Sequence, residues 1–209
     1  MKKLFYVLGI AMILLVAAGC GDIDEKNDRE VSSAQGASKE VSEEVEEEEV
    51  EEKEKAVGVR SNPLPFGDTI TVKENIYDDS FNAYDSSFDI TLLEVIRGEE
   101  AWKVIEEENP YNEPAEEGYE YVLVKAKGVL TESETEDDFL WASSMNFDFV
   151  SSGGEVYDSV SVVTPKEFEK ELYNGGTVEG YISGQVKTGD DFKVSYNSSE
   201  GSPVFFNVE

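Results

Sequence analysis

Residues 119–126 read Tyr-Glu-Tyr-Val-Leu-Val-Lys-Ala (YEYVLVKA). Successive side chains of a strand point to opposite faces, which puts Val122, Val124 and Ala126 on one side and Tyr121, Leu123 and Lys125 on the other. The same period of two recurs in both directions from this segment. Towards the N-terminus, Thr69 to Val72 (TITV) opens a series, and Phe88, Ile90 and Leu92 alternate with Asp89 and Thr91. Towards the C-terminus, Met145, Phe147 and Phe149 alternate with Asn146 and Asp148. Val178, Gly180, Ile182, Gly184 and Val186 share one parity, as do Phe192, Val194 and Tyr196, then Val204, Phe206 and Val208. Each run argues a strand with one buried face.

Turn residues punctuate these runs. Ser61 to Asp68 (SNPLPFGD) is a Pro and Gly cluster that marks a domain boundary. Gly153-Gly154 is expected to form a hairpin turn, with positive φ at both central positions, and Gly175-Gly176 a second one. Pro165 to Tyr173 (PKEFEKELY) is expected to make a helical turn or two, with Pro165 at the first helical position and Phe168 and Leu172 four residues apart. Seven to nine short strands without long helices predict an all-β fold over residues 61–209, an immunoglobulin-like antiparallel β-sandwich. The absence of a cysteine pair is no objection to that architecture.

The opposite end of the chain carries an address. Lys2 and Lys3 precede an apolar run, Leu4 to Ala18, which is shorter than the roughly 20 residues of a membrane span. Ala17-Ala18-Gly19 then supplies small residues directly before Cys20, the single cysteine of the chain. A basic start, an apolar segment and a small-residue cleavage point make residues 1–19 a signal peptide. The thiol at the cut resembles a bacterial lipoprotein lipobox, in which the cysteine carries diacylglycerol and becomes the mature N-terminus. That motif usually has Leu three residues before the cysteine, where this chain has Ala17. The resemblance implies lipidation of Cys20 and a chain held by its acyl groups on the extracytoplasmic face of the cell membrane, since two acyl chains anchor durably where one is marginal.

Residues 20–60 are expected to be a lipidated N-terminus followed by a disordered acidic tether. Lys39 to Lys55 (KEVSEEVEEEEVEEKEK) is mostly glutamate, and such a segment buries too little apolar surface to offset the entropy of ordering. A flexible tether of that length has an r.m.s. span of about 35 Å, which like-charge repulsion lengthens.

Composition removes whole classes of function. With 17 Lys plus Arg against 47 Asp plus Glu, the formal charge is -30, so the chain repels nucleic acid, anionic lipid and anionic wall polymers. No nucleic-acid partner is expected. The chain has no histidine, hence no Ser-His-Asp triad and no imidazole metal ligand. Once Cys20 is acylated, no thiol is left for a disulfide, a nucleophile or a thiolate metal site. No cofactor is expected.

What chemistry remains is acidic or aromatic. Asp78-Asp79, Glu99-Glu100, Glu116-Glu117 and Asp137-Asp138 are paired carboxylates of the kind that cleave glycosides as acid and base. Adjacent residues of a strand face opposite ways, however, and so many acidic residues generate such pairs by chance. Asp78, Asp79 and Asp85 in one loop, or Glu132 to Asp138 (ESETEDD) in another, offer oxygen ligands for calcium, although neither has EF-hand spacing. Trp102, near Pro110, Tyr111 and Pro114, is expected either to stack on a sugar or partner from a long loop, or to fold back as a plug with Val104 and Ile105.

Taken in order, Asn62-Pro63 with Phe66-Gly67-Asp68, Arg97 to Trp102 (RGEEAW), Glu108 to Pro114 (ENPYNEP), Glu117 to Val124 (EGYEYVLV) and Gly175 to Tyr181 (GGTVEGY) form a set. This set resembles the DUF4352 type of telokin-like, immunoglobulin-fold domain found on lipoproteins of Gram-positive bacteria. The resemblance implies a fold and an address, and it brings no catalytic or metal-binding residues with it. Fold alone supplies no function. The expectation is therefore a lipid-anchored, non-catalytic binding or accessory module whose partner is a protein or a wall ligand. A calcium-dependent adhesin and a carboxylate-dependent wall glycoside hydrolase are the alternatives.

Overall fold

The structure, a computed structural model, describes residues 56–209. The expected signal peptide, Cys20 and the Glu-rich tract lie outside the described residues. Among those described, nine strands and one α-helix follow in the order β1 (Thr69–Tyr77), β2 (Ala83–Arg97), α1 (Glu99–Glu108), β3 (Tyr119–Ser133), β4 (Leu140–Ser143), β5 (Phe147–Val150), β6 (Glu169–Leu172), β7 (Thr177–Lys187), β8 (Lys193–Tyr196) and β9 (Val204–Phe206).

All strand pairs are antiparallel. One layer has the order β1-β2-β3-β7, and the facing layer consists of the pair β4-β6 and the trio β5-β8-β9. Both layers point their apolar parity inward. Phe88, Ile90, Leu92, Val122, Val124 and Ile182 meet Leu140, Phe147, Phe149, Leu172, Val194 and Phe206 in one core. Interdigitated inner faces make an antiparallel β-sandwich, as the alternation predicts. The hydrogen-bonded body reaches back to Gly58, whose carbonyl accepts from the Phe205 amide at 2.7 Å, ahead of the boundary expected at Ser61.

Strand β7 shows how closely the layers approach. A Cβ added at Gly180 would lie 2.6 Å from the carbonyl oxygens of Lys166 and Glu167, and one at Gly184 would lie 2.6 Å from the Phe149 ring. The parity of Gly180 and Gly184 with Val178, Ile182 and Val186 thus marks the places where other chain segments rest on the sheet.

Several expectations are corrected. Pro165 to Tyr173, expected to make a helical turn or two, does not. That stretch holds β6, with Glu169 to Leu172 paired to β4, after a turn in which Lys166 takes φ 44°. Phe168 and Leu172 are both buried, but a separation of four suits a strand's period of two as well as a helix. The helix instead spans Glu99–Glu108, covering ground expected to be loop. Ala101 and Ile105, four apart, are its buried residues, and they rest on Tyr121 and Leu123. Strand β3 is therefore apolar on both faces around Tyr121 to Val124, where one face meets the sandwich core and the other lies beneath α1.

The glycine pairs also differ from expectation. At Gly153-Gly154 the chain does reverse, with the Ser151 amide bonded to the Glu155 carbonyl, yet only Gly154 has positive φ, and an isolated bridge of Val150 to Val156 replaces a second strand. Gly175-Gly176 is a turn between layers, since β6 pairs with β4 and β7 with β3. Met145 lies in a 3-10 turn, Ser144–Asn146, and is exposed.

Candidate functional site

Between β5 and β6 the chain forms no strand and meets the sheets through isolated bridges of Val156 to Val150 and Glu167 to Tyr181. Residues 157–164 run as a strap past β7, and four anchors fix it. The Tyr157 hydroxyl donates to Asp190 Oδ2 at 2.8 Å and accepts from the Lys187 amide at 3.2 Å. Val160 and Val162 pack against the small cluster under α1. Asn112 receives the Val163 amide at Oδ1, 2.9 Å, while its Nδ2 donates to the carbonyls of Val163 and Ile105. The Thr164 and Ser183 hydroxyls share a bond of 2.7 Å.

Between this strap and the loop that follows α1 lies a groove of about 510 Å³. Tyr111, Glu113 and Glu116 form one wall, Tyr157 to Ser161 the other, and Tyr119, Tyr121 and Gln185 the floor. A second hollow of about 360 Å³ continues past the strap and shares Tyr157, Asp158, Ser159 and Val160 with the first. Some of these residues hold the groove together. The Tyr121 hydroxyl donates to the Glu113 carbonyl at 2.9 Å, the Glu116 amide to Gln185 Oε1 at 3.3 Å, and Tyr119 meets Tyr157 edge-on at 6.3 Å.

Others are left available. Tyr111 is 92% exposed, and the carboxylates of Glu113, Glu116 and Asp158 make no hydrogen bond or ion pair among the described residues. No Lys or Arg lines the groove. Burial pushes the Tyr121 and Tyr157 hydroxyls above the ordinary phenol range, and the Asp190 carboxylate adds to the effect on Tyr157. Both rings therefore stay neutral and serve as donors. Burial alone would raise Asp190, but the bonds it accepts from Ser152 and Tyr157 hold it below the usual carboxylate range.

Beside this groove, Arg97 closes the end of the sandwich. Its guanidinium donates to Glu120 Oε1 at 2.6 Å and lies 5.5 Å from the Phe192 ring centroid. Burial works against ionised Glu120, yet Arg97 and the Gly189 amide hold its carboxyl low.

The residues singled out from sequence fall in scattered places. Trp102 lies on α1, stacked on Tyr121 with centroids 5.5 Å apart and planes 17° from parallel, so its ring covers the core instead of standing in a loop. Glu99 and Glu100 occupy the first turn of α1, where carboxylates suit the helix dipole. Glu116-Glu117 precedes β3, and the Glu116 side chain borders the groove.

The two acidic segments meet, with Asp85 inside β2 and Glu132 inside β3 instead of in loops. The Asp85 amide donates to Glu134 Oε2, and the Glu134 amide to the Asp85 carbonyl. Tyr84 sits between them, raised above the usual phenol range first by the charge of Asp78 and also by Asp138 and Asp137. The Asp78 and Asp138 oxygens are used in local bonds. Asp78 accepts from the amides of Ser80 and Asn82 and from the Asn82 side chain, which closes the β1-β2 hairpin, and Asp138 accepts from Thr135. Among the described residues no group of three or more His, Cys, Asp or Glu is placed to hold a metal ion.

Sequence reading missed the strap, Tyr111 as a groove residue, and an aromatic trio on the outside of the β4-β6 pair. Phe139 and Tyr173 contact edge-on at 6.1 Å there, with Trp141 beside them. The parity of Phe139 and Trp141, opposite to buried Leu140 and Ala142, is the signal that would have found them.

No protein-family model matches the chain, and no curated protein matches it. Two solved structures are similar. One is ycdA from Bacillus subtilis subsp. subtilis str. 168, described provisionally as a lipoprotein, at 12% identity and a TM-score of 0.42 over 66% of this chain and 38% of that one. The other is the yjhA protein from Bacillus subtilis, at 10% identity and a TM-score of 0.40 over 70% of this chain and 99% of that one. Likeness at this level carries no argument about function.

Proposed function

We propose that the protein is a lipid-anchored, extracytoplasmic binding module, of the DUF4352 type by its ordered motifs, whose groove beside the strap takes a neutral wall glycan without chemical turnover. One observation carries this reading. The groove combines tyrosine rings, unpaired carboxylates and an amide with a complete lack of cationic side chains. Aromatic faces cover the C–H faces of sugar rings while carboxylate oxygens accept from hydroxyls, the division of labour typical of polar ligand sites. An anionic polymer would meet Glu113, Glu116 and Asp158 with nothing to neutralise it.

The anchor is supported by the order of Lys2-Lys3, the apolar run and Cys20. The non-catalytic reading is supported by the absence of histidine and by the use of Asp78 and Asp138 in local turns. Among the described residues no helix is long and apolar enough to cross a membrane.

The test is calorimetric titration of the mature chain with chitohexaose, an uncharged chain of N-acetylhexosamines. Saturable binding that weakens about tenfold or more in Tyr111→Ala supports the reading. Heat-free titration, or equal affinity in the variant, sinks it. Cys20→Ala is expected to leave the membrane fraction, and an equally membrane-tight, processed variant would refute the anchor.

A further inference from the structure

Strands β4 and β6 form a two-stranded face on the outside of the sandwich. Their register sets Leu140 opposite Leu172 with both side chains buried in the core, so positions 139 and 141 on one strand, and 171 and 173 on the other, point outward. Three of those four positions are aromatic. Trp141 is 50% exposed, and Phe139 and Tyr173 stand beside it as a contacting, half-exposed pair. Scattered exposed aromatics need no explanation, but a contiguous set on adjacent strands marks an interaction surface.

The charge around this face identifies what covers it. Glu171 stands directly opposite Trp141, and the exposed Glu136 and Asp137 lead into Phe139. The one lysine of the pair, Lys170, is turned away and donates to the Thr177 carbonyl at 3.0 Å. A second copy would bring the same carboxylates onto each other in a chain already at -30, and an anionic membrane or polymer would be repelled. We propose that the outer face of β4-β6, centred on Trp141, docks an arginine- or lysine-bearing segment of another protein. Its cations stack on the Trp141, Phe139 and Tyr173 rings and pair with Glu171. Aromatic rings attract cations through their faces, arginine most often, and nearby carboxylates add to that attraction.

This surface is distinct from the strap groove and stands whether or not the groove binds glycan. The experiment titrates the mature chain, by calorimetry at low and at physiological salt, with a synthetic oligo-arginine peptide. An acidic protein binds such a peptide loosely at any site, so the aromatic variants decide the matter. Trp141→Ala, which leaves the charge untouched, is expected to weaken binding about tenfold, and Glu171→Lys by a similar factor, with unchanged circular dichroism. Tyr111→Ala is expected to bind the peptide as the parent does. If Trp141→Ala binds as tightly as the parent, the interaction is general charge attraction and the proposal is overturned. It is equally overturned if Trp141→Ala abolishes chitohexaose binding instead, or if it abolishes self-association in analytical ultracentrifugation.

Discussion

Glu74 on the edge strand β1 accepts a hydrogen bond of 2.7 Å from the hydroxyl of Tyr196 on β8, so one buried carboxylate joins the two layers of the sandwich. Its other oxygen accepts from the amide and hydroxyl of Ser199, at 2.9 and 2.7 Å. A buried carboxyl group is tolerated only when its oxygens are satisfied, and these three bonds do that. Tyr196→Phe removes one of them while the carboxylate stays buried. We expect a loss of about 2 kcal/mol in urea unfolding. A loss under about 0.5 kcal/mol would show that the bond adds nothing net.

The same pair governs alkaline stability. Burial first, then the charge of Glu74, raises the Tyr196 hydroxyl far above its ordinary value of 10.0. Below pH 10 the phenol is protonated in both states and its contribution is complete. Above pH 10 only the unfolded chain ionises, so stability falls by about 1.4 kcal/mol per pH unit from this group. Tyr196→Phe is expected to have a shallower alkaline limb than the parent, as judged by melting temperature against pH. Parallel limbs would contradict this account.

Glycine spacing on β7 supplies a sharper packing test. At Gly180 an added methyl meets backbone carbonyls, which cannot rotate away. At Gly184 it meets the ring of Phe149. Overpacking costs typically 1–3 kcal/mol, so Gly180→Ala is expected to lose roughly that much or more in chemical denaturation, and to lose more than Gly184→Ala. The reverse order would place the tight contact elsewhere.

Phe81 offers the opposite case. It sits at the tip of the β1-β2 hairpin with φ 63° and is 87% exposed. A left-handed conformation strains any residue with a Cβ by about 1–2 kcal/mol, and an exposed ring gives little back. Phe81→Gly should leave stability unchanged or raise it by up to about 1 kcal/mol, allowing for glycine's greater freedom when unfolded. A clear fall in melting temperature would mean that the phenyl ring packs on the domain.

How far the sequence shows this molecule depends on whether a signal is local. The strand faces of Phe88-Ile90-Leu92 and Val178-Ile182-Val186 were legible because period two is written in the chain and both sets are buried. Pro165 to Tyr173 misled because Phe168 and Leu172 fit either period, and pairing with β4 decided for a strand. The helix at Glu99–Glu108 was hidden by its charge. Its apolar residues are few, and only contact with the outward side of β3 shows why they suffice. The groove was less legible still. Tyr111, Tyr157 and Gln185 are far apart in sequence, and the strap that unites them has no periodicity.

At acid pH the groove's own support should weaken. Asp190 is held below the usual carboxylate range, so its contribution is present above the unfolded pKa and is lost as pH falls through the lowered value in the folded state. Asp190→Asn is expected to flatten the acid limb of the melting profile relative to the parent. It should also release Tyr157, giving weaker chitohexaose binding at neutral pH. An unchanged acid limb would show that the Ser152 and Tyr157 bonds contribute nothing to the charged form.

The most direct test of the account is amide chemical-shift mapping of the isotope-labelled mature chain with chitohexaose. The groove reading predicts shifts confined to the neighbourhood of Tyr111 to Tyr121, Tyr157 to Ser161 and Gln185. Shifts centred on Phe139, Trp141 and Tyr173, or none at saturating sugar, would contradict it.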